Sequence, residues 1–287
     1  MTARDWLEKA KREGWAIGAF NVGNLETFKA IAQAAQAQKS PVIIESSPGE
    51  TDWMGADNIV DLAKNYSQEF GIPILVNLDH AQTLEECQTG IDAGYDLIHF
   101  DGSKLPLAEN LKIAKLVVEL AHVKGLVVEG EIDHIQGSSE VHPGAAADEI
   151  SQSTFSDPEK AKQFVADSGV DIYAAFFGNV HGVFLGGSEK LHIDVLEKLA
   201  AALPNSFFSL HGGSGIPDDQ VKEAIQKGVV KVNVNTEMRQ AFKDNLEKEL
   251  KDNPAEYAMY KTEGPVIEAV QKIVEHKIEV FGSAGKI

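Results

Sequence analysis

The chain has 287 residues, 43% of them hydrophobic and 24% charged, a balance that fits a globular protein long enough to bury a sizeable core. Its net charge of −18 repels phosphate backbones and excludes general nucleic-acid binding, so an anionic ligand needs a locally positive or amide-rich pocket. Cys87 is the single cysteine, which excludes an intrachain disulfide framework, and no apolar run approaches the roughly 20 residues that span a bilayer.

The first segment, MTARDWLEKAKREGWAIG, is charged and amphipathic rather than a signal peptide, and a cytoplasmic location without membrane attachment is expected. Beyond it, short β-rich runs alternate with helical patterns. Strands are predicted at AIGAF (16–20), PVIIES (41–46), PILVNLD (73–79) and DLIHFD (96–101). Four more follow at GLVVEGEI (125–132), DIYAAFF (171–177), SFFSLH (206–211) and VVKVNVN (229–235). Several intervening helices start at Asp, Ser or Pro and stop at Gly, as helix caps do.

This alternation implies right-handed crossovers and a parallel sheet. The expected fold is α/β, a closed (β/α)8 TIM barrel, with a doubly wound open sheet as the alternative. Residues 1–287 read as one domain whose last part, about 236–287, is a helical extension outside the barrel. One connection, 133–157, is long and has little helical pattern; its place after a strand end suggests a lid.

In such a barrel the active site is built at the C-terminal strand ends. Those positions hold Glu45 and Ser47, Asp79 and His80, Asp101, Glu131, His181, His211, and then Asn233, Asn235 and Thr236. Three of the nine histidines fall on that rim. Three neutral imidazoles leave Zn²⁺ its full charge and an open coordination position, as catalysis requires. Asp101 and Glu131 read either as acceptors that orient these rings, as ligands of another ion, or as solvated carboxylates. The other six histidines, His99 among them, show no partner pattern. HGGSGIP (211–217) and NVNTE (233–237) each join a strand end to a helix start, where barrels commonly bind phosphate.

In this order, LDH, GNVHG, LHGGSGIP and VNVNTE resemble the class II, metal-dependent fructose-bisphosphate and tagatose-bisphosphate aldolases, from AFNVGNLET at 19–27 to the C-terminal helices. The resemblance implies a lyase that cleaves a ketose phosphate, in first place fructose 1,6-bisphosphate. It assigns His80, His181 and His211 to a catalytic zinc, and matches Asp101 and Glu131 to positions of a second metal, with a monovalent cation also in view. It makes Asp79 the proton donor and acceptor, and Glu140 the nearest match to a loop acid, one residue late. Substrate contacts fall on Asn21, Ser47, Gly182, Gly212, Gly213, Ser214, Asn233, Val234, Asn235 and Thr236. A homodimer or homotetramer is implied as well.

The chain departs from the family pattern at five places. It has DHA where DHG is usual, EID for ELG, and Glu45 where glutamine is common. Leu185 and Ile267 stand where a lysine and an arginine commonly meet phosphates. Tagatose 1,6-bisphosphate or a singly phosphorylated ketose is therefore the alternative substrate. Two rivals stay open: a Schiff-base aldolase using Lys231, which shares a strand face with Asn233 and Asn235, and a non-catalytic sugar-phosphate-binding barrel.

Overall fold

The computed structural model describes residues 1–150, 155–187 and 190–287. The barrel strands are β1 (Ile17–Asn21), β2 (Val42–Ser46), β3 (Ile74–Ala81), β4 (Leu97–Asp101) and β5 (Val127–Glu131), joined by β7 (Ile172–Ala174), β9 (Phe207–Leu210) and β10 (Val229–Val234). They close a parallel barrel in the order β1-β10-β9-β7-β5-β4-β3-β2. All eight predicted strands are present, within a few residues of their expected bounds.

The connection after β5 differs from expectation. It carries β6 (Gly137–His142) and a short helix, Ala146–Ile150, while residues 151–154 lie outside the described residues. β6 pairs in parallel with β8 (His181–Phe184), forming a two-stranded sheet at the mouth of the barrel. That pairing is non-local and largely solvent-exposed, so no alternation of apolar residues announced it.

Alternation along each strand sorts the barrel interior from its outer wall. Val42, Ile44, Val76, Ile98 and Val128 face the surrounding helices. Their neighbours Ile43, Leu75, Leu97, Val127, Ile172 and Phe207 form an inner apolar layer with Trp6, Leu7 and Ala10 of the helix Ala3–Glu13. The amphipathic N-terminal segment is thus the stopper of the barrel's lower end. Its start is fixed by a capping box between Thr2 and Asp5.

One step further along the strands the interior becomes polar: Glu45, Asn77, His99, Glu129, Ser209 and Lys231 are all buried. Asn21, Asp79, Asp101, Glu131, His211 and Asn233 complete the upper end. The register makes this layering explicit, with Leu97 opposite Val127, His99 opposite Glu129, and Asp101 opposite Glu131. The C-terminal helices Thr236–Asp252 and Met259–Phe281 pack outside, the second against the helix Leu25–Gln38. No helix among the described residues is long and apolar enough to cross a membrane.

Candidate metal centre and active site

β3 ends differently from the other strands. β3 and β4 are in register at Leu78 opposite Ile98, and then slip so that Ala81 faces Phe100. Within the slip His80 takes a left-handed backbone, φ 52°, one of two non-glycine residues to do so among those described. Such a residue costs about 1–3 kcal/mol, a strain usually kept where function needs it. The irregularity lets Asp79 and His80, adjacent in sequence, line the same cavity.

His80, His181 and His211 converge there. Their ring centres lie 5.0 Å apart for His80 and His181, 4.6 Å for His80 and His211, and 5.9 Å for His181 and His211. Rings sharing a tetrahedral Zn²⁺ would sit about 5 Å apart, given Zn–N bonds of about 2 Å. The partners of the other ring nitrogens then identify the atoms that face an ion. His80 Nδ1 is 3.1 Å from Asp101 Oδ2, while its Nε2 is buried without a hydrogen-bond partner among the described residues. His181 Nδ1 donates to the carbonyl of Ile135 at 3.3 Å, leaving the lone pair on Nε2. His211 Nε2 donates to Glu129 Oε1 at 2.8 Å, leaving it on Nδ1, which here accepts from Asn233 Nδ2 at 3.3 Å. Two Nε2 atoms and one Nδ1 make a donor set that fits Zn²⁺.

Electrostatics agree with that use for two of the rings. Burial, with the neighbouring histidines, holds His181 down to about 3, and burial holds His211 down to about 4, so both are neutral at physiological pH. His80 moves the other way: burial opposes its charge, but Asp79, Asp101 and Glu131 together outweigh it and raise the imidazole. Burial pushes the Asp79 carboxyl up, but His80, His99, His211 and Lys231 together keep it well below the usual range. Asp79 Oδ2 accepts from Asn21 Nδ2 at 3.2 Å and Oδ1 from Asn233 Nδ2 at 3.3 Å. It is an ionised base, held from both sides and facing the cavity.

Beneath the histidines lies a charged knot. Lys231 Nζ is 2.8 Å from both Glu45 Oε1 and Glu129 Oε2, with all three side chains fully buried. Burial opposes its charge, but Glu129 and Glu45 raise its pKa, so the amine stays protonated and cannot attack a carbonyl. That removes the Schiff-base reading of Lys231. Burial pushes Glu45 up to about 7, while Lys231, His99 and His211 together overcome burial at Glu129 and hold it well below the usual range. Glu129 is therefore an ionised acceptor for His211, and Lys231 is what makes it tolerable in the core.

The cavity at the histidines measures about 40 Å³, enough for an ion and its nearest waters. Asn21, Gly182, Gly212, Ser214, Asn233, Asn235 and Thr236 line it, as does Ser139, which sequence reasoning passed over. At Gly212, φ 70°, a Cβ would stand 2.0 Å from the Val180 carbonyl oxygen, so only glycine fits. Thr236 opens the helix Thr236–Asp252, whose N-terminus favours an anion.

The remaining expected residues lie elsewhere. Ser47 caps the helix Pro48–Met54 together with Glu50. Gly213 and Val234 are buried and do not line the cavity, and the Gly213 N–H already donates to the Asn233 carbonyl at 2.9 Å. Asp101 and Glu131 sit behind His80, within reach of a shared ion but positioned first as its supports. Glu140 is exposed on β6 and lines a neighbouring cavity of about 450 Å³.

His99 is the residue that sequence reasoning missed. It is fully buried, its ring 4.5 Å from His80 and 4.9 Å from His211, and it groups with Asp79, His80 and His211 as potential ligands. Its place two residues before Asp101, on the same strand face, was the available signal.

Residues 1–286 match the family model described as fructose-bisphosphate aldolase, class II. A fructose-bisphosphate aldolase of Streptococcus pneumoniae is 42% identical, with 100% of this chain and 99% of the relative covered. One from Geobacillus stearothermophilus is 35% identical, covering 100% and 98%. The crystal structure of the YdjI aldolase from Escherichia coli K12 superposes with a TM-score of 0.81 at 28% identity, covering 100% of this chain and 98% of that one.

Proposed function

This chain belongs to the class II fructose-bisphosphate aldolase family and is a lyase that cleaves an aldol bond; from that premise we propose that it works with zinc on a ketose bisphosphate, fructose 1,6-bisphosphate in first place. The observation that carries this reading is the convergence of His80, His181 and His211 on one cavity beside the ionised Asp79.

His80 Nε2, His181 Nε2 and His211 Nδ1 would hold the zinc, supported by Asp101, Ile135 and Glu129. When bound, the ion supplies Lewis acidity to the carbonyl oxygen of the substrate. Asp79, fixed by Asn21 and Asn233, takes the proton of the C4 hydroxyl as the C3–C4 bond breaks, and returns it to the aldehyde oxygen in condensation. C3 also needs a proton. Glu140, next to the cavity-lining Ser139 on β6, donates it. The products are dihydroxyacetone phosphate and glyceraldehyde 3-phosphate.

The near phosphate rests on the backbone of Gly182, Gly212 and Asn235, with Ser214 and Thr236 alongside at the helix N-terminus. A second anionic group is supported by Arg239. Its guanidinium lies 2.6 Å from Glu50 Oε1 and lines both the 450 Å³ cavity and one of about 260 Å³ that shares Asn21 with the metal site. Glu50 in turn accepts from Asn21 and Ser47, so Arg239 sits one carboxylate away from the reacting end. Arg239 takes over the work of the basic residues replaced by Leu185 and Ile267. A cytoplasmic location goes with sugar-phosphate chemistry. A homodimer or homotetramer goes with the exposed Tyr257 and Tyr260, and light scattering tests it.

Metal analysis combined with a retro-aldol assay over fructose and tagatose phosphates, mono- and bis-phosphorylated, tests the whole reading. Fastest turnover of fructose 1,6-bisphosphate by a zinc-loaded chain is expected. Preference for the tagatose ester would overturn the C4 assignment, and preference for a monophosphate would overturn Arg239. Zinc without cleavage or proton exchange of dihydroxyacetone phosphate would leave a binding barrel.

A further inference from the structure

The slip between β3 and β4 has a specific partner. Between the pairs Leu78–Ile98 and Ala81–Phe100, two residues of β3, Asp79 and His80, stand against one of β4, His99. Two against one is the count of a β-bulge. In an unbroken strand Asp79 and His80 would point to opposite faces; the bulge turns both into the cavity. The backbone N–H of His80, the residue with left-handed φ, donates to His99 Nδ1 at 3.2 Å.

We propose that His99 is a positioning residue for the metal centre: its Nδ1 clamps the His80 N–H within the bulge and so aims His80 Nε2 and the Asp79 carboxylate at the same point. The proposal rests on the reading of His80 as a zinc ligand. The clamp needs the lone pair on Nδ1 and the proton on Nε2. Nε2 faces Glu131 Oε2 at 3.4 Å, the side on which a proton is welcome. Asp79 Oδ1 lies 3.6 Å from Nδ1, and Glu129 stands opposite in the register. The His80 N–H already occupies Nδ1. The ring itself cannot shift, being fully buried between His80 and His211.

Three substitutions separate the clamp from mere filling of space. His99→Asn keeps an acceptor near the position of Nδ1. His99→Gln keeps polar atoms near Nε2 instead, and His99→Leu keeps neither. Zinc affinity is read by titrating the metal-free chain against a chelator of known affinity, and geometry by the visible spectrum of the cobalt-loaded chain. His99→Gln and His99→Leu are expected to bind zinc about 10–100-fold more weakly with an altered cobalt spectrum, and His99→Asn to stay near the unsubstituted chain. Should His99→Leu fail to fold, the contrast between Asn and Gln decides. Equal weakening by Asn and Gln, or wild-type affinity in Gln, overturns the clamp. His80→Ala serves as the control. Full zinc binding there removes the ligand reading itself, whereas zinc lost in His80→Ala and kept in His99→Leu removes only the clamp.

Discussion

The two halves of the barrel interior obey opposite rules. Below, Ile43, Leu75, Leu97, Val127, Ile172 and Phe207 close on the N-terminal helix with no charged side chain among them. Above, Lys231, Glu45, Glu129, His99, Asp79 and His211 are packed as deeply and are all titratable. The lower half is held by removing apolar surface from water, which tolerates many substitutions of similar volume. The upper half is held by pairing, where the loss of one partner strands another. One strand passes through both regimes within a few residues: β10 runs from Val230 to Lys231 to Asn233.

That contrast yields measurable differences. The largest belongs to Asp79→Ala, expected to lower turnover by about 10²–10⁴-fold while zinc per chain is unchanged in metal analysis. Ordinary turnover in that variant would remove Asp79 from the chemistry. His211→Ala, by comparison, should reduce the zinc itself. Lys231→Met leaves two buried carboxylates facing each other and should cost about 3–5 kcal/mol in denaturant unfolding. Trp6→Ala, in the apolar half, should cost about 3 kcal/mol yet leave zinc affinity unaltered, provided the halves are energetically separate. Zinc loss in that variant would show that they are not.

The smallest effect is a slope. Of the three ligands, only His80 has its imidazole raised above the ordinary histidine range, while His211 and His181 stay neutral down to about 4 and about 3. Protonated His80 cannot ligate, so zinc affinity should fall as pH drops through its raised pKa. The fall should be about tenfold per pH unit, corresponding to one proton. Competition titrations between about pH 5 and 7.5 would read it. A slope of two or three would mean that the other rings charge as well.

Much of this architecture was legible in the residues. Alternating runs such as VIIES and LIHFD announce the strands, and their ends already place Asp79, His80, His181 and His211 on one rim. What stayed hidden depends on contacts between distant segments. β6 pairs with β8 across some 40 intervening positions, and nothing in GSSEVH says so. His99 looks isolated in sequence because its partner is a backbone N–H on the neighbouring strand. The bulge is a property of two strands together, so LDHA read alone leaves His80 pointing the wrong way. Glu129 was within reach, two residues before Glu131 on the same face, but its value comes from Lys231 and His211.

The helix that seals the lower end carries a consequence for traffic. A pocket stoppered at its base has a single door, so solvent, ion, substrate and both fragments must share it. Whatever is seated against the imidazoles arrives ahead of what lies above it and departs after it. The floor that sets this order is the stack beneath the histidines, the buried Lys231–Glu45–Glu129 knot and the apolar layer that the helix Ala3–Glu13 covers.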